Sequence, residues 1–462
     1  MRKNTRRSLV TVLIVLVCVF LAALGWIFYD TTVDRSGFVE KNGVTCYQDF
    51  HARLVTGWQD IDGSRYYFGD DYAMATGWQE IGGNRYHFGD DGAMDTFWQQ
   101  VGTDLYYLGS DGIPVTGWQD INGTHYYFRD DGTIVVGWVE LDGSRYHLGD
   151  NGAMSLGFYH EEGSTYYLGD DGVMVTGHVT LNGEQYFFQD NGIMYTGWEQ
   201  TENGTRYYLP EGPMAFGWTE IGGKRYRFDD SGLMQTGWLE EGEYRYYLQE
   251  DGSAAVGPTE IGGDTYYFTP KGIQVVLVNR LNPVPDYYAL NLVTVTEWHQ
   301  VSDVCLEPLK QMLADCQAAG NNYTFNSAHR TIEEQTMILE ARTEEYLESF
   351  YGDRDKARAK ALETVAVPGT SEHHLGLAVD ILGEKAIAWL TEHCWEYGFI
   401  VRYTKEKENI TGIVDEPWHF RYVGVEVSMD MKDSGLCLEE YLGAEAIPLV
   451  GNTNATTESE ED

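Results

Sequence analysis

A twenty-residue beat limits what residues 37 to 276 can fold into more than any other feature of this chain. "TGWQDIDGSRYYFGDDYAMA" is followed directly by "TGWQEIGGNRYHFGDDGAMD". The tryptophan slot recurs at Trp58, Trp78, Trp98, Trp118, Trp138, Trp198, Trp218 and Trp238, with Phe38, Phe158, His178 and Pro258 in the same register. Twelve units result. Each reads as two short strands around a tight turn, because dipeptides such as Asp62-Gly63 supply the positive φ that hairpin turns need. One hairpin cannot cover its own aromatic face, so the units must stack as a β-hairpin solenoid.

Charge narrows the function. The 462 residues carry 72 acidic against 31 basic side chains, a net charge of -41. Basic residues cluster only at the extreme N-terminus, which argues against nucleic acid as a partner. There, Arg2, Lys3, Arg6 and Arg7 precede an uncharged apolar run from Leu9 to Tyr29. This pattern predicts a single-pass membrane anchor over residues 1–30, with the N-terminus cytoplasmic and the bulk of the chain exported. A cleaved signal peptide is the alternative, since "LAALGW" holds small residues. The six cysteines show no CxxC spacing, which argues against a structural Cys-zinc site. Cys394 and Cys437 leave open either a disulfide or two buried thiols.

Residues 277–445 lose the beat and alternate helical periodicity with short strands. Helices are expected over 302–319, 331–350, "KARAKALETVAV" and 384–397, and strands at "YTFNSAHR", "LGLAVDIL", "FIVRYT" and "WHFRYVG". Without βαβ regularity, this predicts an α+β domain. The polar, acidic stretch 446–462 is expected to be disordered. Within "SEHHLGLAVDIL", Asp380 interrupts an apolar strand, and a buried carboxylate must be compensated. If the chain bends at Gly369 or Gly376, His373 can return to Asp380, and His419 of "EPWHF" can arrive from a neighbouring strand. Two imidazoles and a carboxylate make a three-ligand catalytic zinc set. Glu416, three residues before His419, stands where a general base would be wanted. The competing reading pairs Asp380 with an arginine and leaves Glu416 as a surface turn residue. On chemistry alone both remain open.

The repeats resemble the cell-wall-binding repeats of choline-binding proteins and their clostridial relatives. The choline form has a tryptophan just before the paired tyrosines, where this chain has Arg65, Arg85, Leu105, His125 and Arg145. The missing wall favours a wall glycan or teichoic polymer over choline. Farther on, "SAHRTIEEQ", "SEHHLGLAVDI" and "EPWHFRYVG" are similar, in order and spacing, to motifs of the VanY-type D-alanyl-D-alanine carboxypeptidases. That resemblance implies a hedgehog-like α+β zinc peptidase acting on peptidoglycan stem peptides in a Gram-positive-type bacterium. By position it implies His373, Asp380 and His419 as zinc ligands, Glu416 as catalytic base and Arg330 as the oxyanion-stabilising arginine. It implies Gln335, Ser371 and Tyr403 as contacts to the peptide terminus. His329 departs from the family's usual tyrosine, and His374 is expected behind the ligands or facing outward. The same motifs suit an L,D-carboxypeptidase or an endopeptidase, and a non-catalytic wall adhesin or sensor is the rival of a different class.

Overall fold

The computed structural model describes the backbone of residues 2–32 and 34–450, and the side chains of residues 11–27 and 34–450. One helix, Arg2–Thr32, precedes the repeats. Among the described residues no helix is long and apolar enough to cross a membrane. The expected single-pass anchor over residues 1–30 is therefore not upheld. The ends of that apolar run, 9–10 and 28–29, lie outside the described side chains.

The chain divides into two compact units, Met1–Tyr195 and Thr196–Asp462. In the first, each repeat is a hairpin of two five-residue strands, as in Gly57–Ile61 with Ser64–Phe68, where Trp58 faces Tyr67. Asp62 turns the hairpin with a φ of 49°, which an aspartate in a two-residue turn tolerates. Neighbouring units then lock together. Met94 N–H donates to Arg65 C=O at 2.7 Å, and Trp58 packs edge-on against its own Tyr67 and the next unit's Tyr86. Phe68, Phe88, Leu108, Phe128 and Leu148 are buried along the stack. The aromatic beat is thus foremost the repeats' own core.

The second unit joins the last four hairpins to an α+β domain. Its central sheet is antiparallel, in the order Thr324–Ser327, Ala378–Leu382, Glu416–Tyr422, Phe399–Tyr403. The helix Asp303–Ala318 packs Cys305, Leu309, Met312 and Cys316 into one core with Val379, Ile381, Phe399 and Phe420. The expected elements are present as the helices Ile332–Leu347, Arg354–Ala361 and Glu384–His393 and as the four strands. Three features were not expected. A hairpin pairs Leu292–Thr296 with His299–Ser302, and helices Val425–Ser434 and Leu438–Tyr441 follow the last strand.

A second apolar cluster welds the domain to the repeats. Tyr246, Ile273, Val275 and Leu277 pack with Val427, Met431, Leu438 and Leu442. Cys394 and Cys437 are buried free thiols, so no disulfide joins them. Ile447 is buried and its N–H donates to Ile410 C=O, so ordered chain continues into the stretch expected to be disordered. Residues 451–462 lie outside the described residues.

Candidate active site

Three of the predicted site residues meet because of one bend. The one-turn helix Glu372–Leu375 ends at Gly376, whose φ is 67°. A Cβ there would sit 2.8 Å from the Ser302 nitrogen, so both the left-handed conformation and the close approach require glycine. The chain then enters the strand Ala378–Leu382 and brings Asp380 beneath His373. Across the sheet, His419 is the register partner of Asp380. His373 Nε2 lies 3.4 Å from Asp380 Oδ2, and His419 Nδ1 lies 3.3 Å from Asp380 Oδ1. The expected bend at Gly376 is present.

The donor set fits a metal ion. One ligand atom from each of His373, Asp380 and His419 lies within 4.8 Å of the others, and the residues are only 2%, 4% and 4% exposed. His373 Nδ1–H donates to Ala328 C=O at 2.6 Å, which leaves Nε2 free to coordinate. Asp380 Oδ1 is buried without a hydrogen bond although His419 Nδ1 faces it. Burial drives the His373 pKa down to about 4, despite Asp380, so this imidazole is neutral at neutral pH. Burial alone would lower His419 too, but Asp380 and Glu372 outweigh it and raise the ring to about 9. His419 would have to give up that proton to hold a metal ion. Burial opposes the ionised form of Asp380, yet His373 and His419 hold its pKa well below the ordinary value.

Glu372 was missed from sequence. Its Oε2 lies 3.6 Å from His419 Nε2, on the side of the ring away from Asp380. Its Oε1 accepts from Arg402 Nε at 2.8 Å and lies 3.1 Å from Arg421 Nη1. Arg402 in turn donates to both oxygens of Glu439. A carboxylate behind a ligating histidine fixes the ring and raises its basicity. The available signal was Arg402 and Arg421 themselves, two cations in apolar strands that had to find buried acids.

The remaining predicted residues surround the cluster. Glu416 Oε2 lies 3.7 Å from His419 Nδ1, and burial raises its carboxyl to about 7 although His419 and Arg330 pull the other way. Tyr403 is the register partner of Glu416, and its ring centroid is 4.9 Å from that of His419. Arg330 donates to Ser327 Oγ at 2.8 Å, to Gln335 Oε1 at 3.4 Å and to Asp380 Oδ2 at 2.5 Å. Asp380 therefore has both compensations that the sequence left open, an arginine and two imidazoles. Gln335, Ser371, Tyr403, Arg330 and Glu416 line, with the three ligands, one cavity of about 620 Å³. His374 stands behind the site, where its Nδ1 donates to Arg330 C=O and its Nε2 accepts from Gly369 N–H. His329 is half-buried and is not among the residues lining the cavity.

A buried two-histidine, one-aspartate cluster with a carboxylate beside it, opening on a cleft, defines a zinc-type hydrolytic centre. Residues 298–425 match the VanY family, D-alanyl-D-alanine carboxypeptidase. Residues 55–94, 115–157, 175–215 and 215–258 match the choline-binding repeat. A D-alanyl-D-alanine carboxypeptidase of Enterococcus faecalis is 42% identical over 179 residues, covering 37% of this chain and 66% of that protein. The bifunctional D-Ala-D-Ala dipeptidase and D-Ala-D-Ala carboxypeptidase VanXYC of Enterococcus gallinarum is 34% identical over 158 residues, covering 30% of this chain and 78% of that protein. A solved structure of the vancomycin resistance D,D-pentapeptidase VanY, a variant in complex with Zn(II), is 40% identical, covers 36% of this chain and 97% of its own, and has a TM-score of 0.35. The chain belongs to the VanY D-alanyl-D-alanine carboxypeptidase family. It spans 66%, 50% and 42% of the lengths of three curated relatives.

Proposed function

We propose that this chain is an exported zinc D,D-carboxypeptidase that removes the terminal D-alanine from peptidoglycan stem peptides, and that its repeats hold it at the cell wall. The observation that carries this reading is the convergence of His373, Asp380 and His419 with Glu416 3.7 Å from His419. When held by those three ligands, zinc supplies Lewis acidity and a nucleophilic water at neutral pH. Glu416 takes the proton of the attacking water and returns it to the leaving amine, a role suited to a carboxyl raised to about 7. Arg330, its fork fixed by Ser327 and Gln335, stabilises the developing oxyanion. Gln335, Ser371 and Tyr403 receive the peptide terminus from the cavity wall.

The repeats are assigned a wall glycan or teichoic polymer rather than choline. Five tryptophans already carry an internal cation, with the guanidinium carbons of Arg65, Arg85, Arg145, Arg225 and Arg245 between 3.8 and 4.7 Å from the rings of Trp58, Trp78, Trp138, Trp218 and Trp238. A quaternary ammonium would have to displace them. Trp118 and His125, where the sequence has no arginine, both line a groove of about 260 Å³. The catalytic half of the proposal is tested with zinc-loaded protein and a pentapeptide ending in D-Ala-D-Ala. Release of one D-alanine, abolished by a chelator and restored by zinc, is expected. A folded, zinc-loaded chain that releases none would overturn it.

A further inference from the structure

The cavity has a second arginine, and its chemistry is unspent. Arg342 lies on the helix Ile332–Leu347, seven residues after Gln335 and four after Ile338, and all three line the same cavity. That spacing keeps them on one helix face and sets Arg342 about 10 Å along the axis from Gln335. Gln335 is 1% exposed, whereas the Arg342 side chain is 45% exposed, so the row runs from the floor of the cavity to its mouth.

Arg330 is already committed to Ser327, Gln335 and Asp380. Arg342 instead holds Glu345, one turn away and 62% exposed, at 2.9 Å. An exposed pair of this kind is worth about 0–1 kcal/mol, so it yields readily to a better-placed carboxylate. Nearby acids do not compete, because Glu340 and Glu344 are engaged by Arg354 and Arg358 of the following helix. A cation at the mouth of a catalytic cleft, on a chain of net charge -41, is a selective feature.

We propose that Arg342 is a specificity residue that binds a carboxylate on the peptide upstream of the scissile bond, so that the enzyme selects acidic peptides. This rests on the carboxypeptidase reading above. In that reading the leaving residue lies at the floor, beside the metal ligands, and the rest of the peptide leaves through the mouth. An extended peptide advances about 3.3 Å per residue, so about 10 Å places the recognised carboxylate roughly three residues before the cut.

The test uses the full zinc-loaded chain and two pentapeptides ending in D-Ala-D-Ala, identical except that the upstream carboxylates are free in one and amidated in the other. Wild type should favour the free acid by about 10-fold or more in kcat/KM, chiefly through KM, the scale of a charge-assisted hydrogen bond. Arg342→Ala should bring the ratio to about one, Arg342→Lys should restore part of it, and Arg342→Glu should invert it. A wild-type ratio near one, or a preference that survives Arg342→Ala, would overturn the proposal. Binding of both peptides to Glu416→Gln protein, measured by calorimetry, separates this inference from the activity. If neither peptide is cleaved, the carboxypeptidase reading fails, and the binding preference and its loss in Glu416→Gln/Arg342→Ala still decide the role of Arg342.

Discussion

Glu416, partly buried, and Glu372, fully buried, are both acids beside His419, yet their surroundings send them opposite ways. Burial wins at Glu416 and raises its carboxyl to about 7. At Glu372 burial pushes up as well, but Arg402 and Arg421 outweigh it and the carboxylate stays ionised far into acid. The first suits proton transfer and the second suits a fixed negative anchor. A base must be ionised to accept a proton, so kcat/KM should fall as pH drops through the Glu416 pKa. A bound cation lowers that pKa, which places the acid limb of the zinc enzyme between the ordinary carboxylate range and about 7. A pH–rate profile checks this, and an acid limb retained in Glu416→Gln would contradict it. Glu372→Gln removes the charge behind His419 and should weaken zinc binding by about 10- to 100-fold, read by competition with a chelator. Unchanged affinity would reduce Glu372 to a partner of the arginines.

At the scale of elements, the sequence showed what was periodic or chemically awkward and hid what depends on distant strands. The hairpins were legible because a twenty-residue period fixes their turns and aromatic faces. A carboxylate in an apolar strand singled out Asp380 and pointed to His373, His419 and Glu416, but chemistry alone left an arginine partner equally open, and the ligand and base roles came from the family resemblance. Glu372 was not, since an acid in a one-turn helix is ordinary until strands Phe399–Tyr403 and Glu416–Tyr422 deliver two arginines to it. The charge pattern of the N-terminal apolar run suits an anchor, and among the described residues no helix is long and apolar enough to cross a membrane. The arginine-capped tryptophans were half legible: the missing tryptophan was visible, the guanidinium lying on the ring was not. Their consequence is that residues 37–276 should adhere to purified cell walls and resist elution by millimolar choline. Elution by choline would show that the arginines give way.

The whole molecule is organised by where its apolar surfaces close rather than where the repeat ends. The beat stops near residue 276, but the compact unit begins at Thr196. Tyr246 and Val275 share a core with Val427 and Leu438, Tyr422 donates to Glu243, and Lys271 pairs with Asp430. A chain starting at residue 196 should therefore unfold cooperatively, while one starting at 277 should lose several °C in Tm and expose the helix Val425–Ser434. Equal melting temperatures would show that the last hairpins are passengers. The catalytic claim has its own direct measurement: zinc per full-length chain by mass spectrometry, taken beside D-alanine release. His373→Ala, Asp380→Ala and His419→Ala should each lose zinc and activity together, whereas Glu416→Gln should keep its zinc and lose a factor on the order of 10² or more in turnover. A folded wild-type chain that holds no zinc and is not activated by it, or a Glu416→Gln variant with full turnover, would contradict the zinc peptidase assignment.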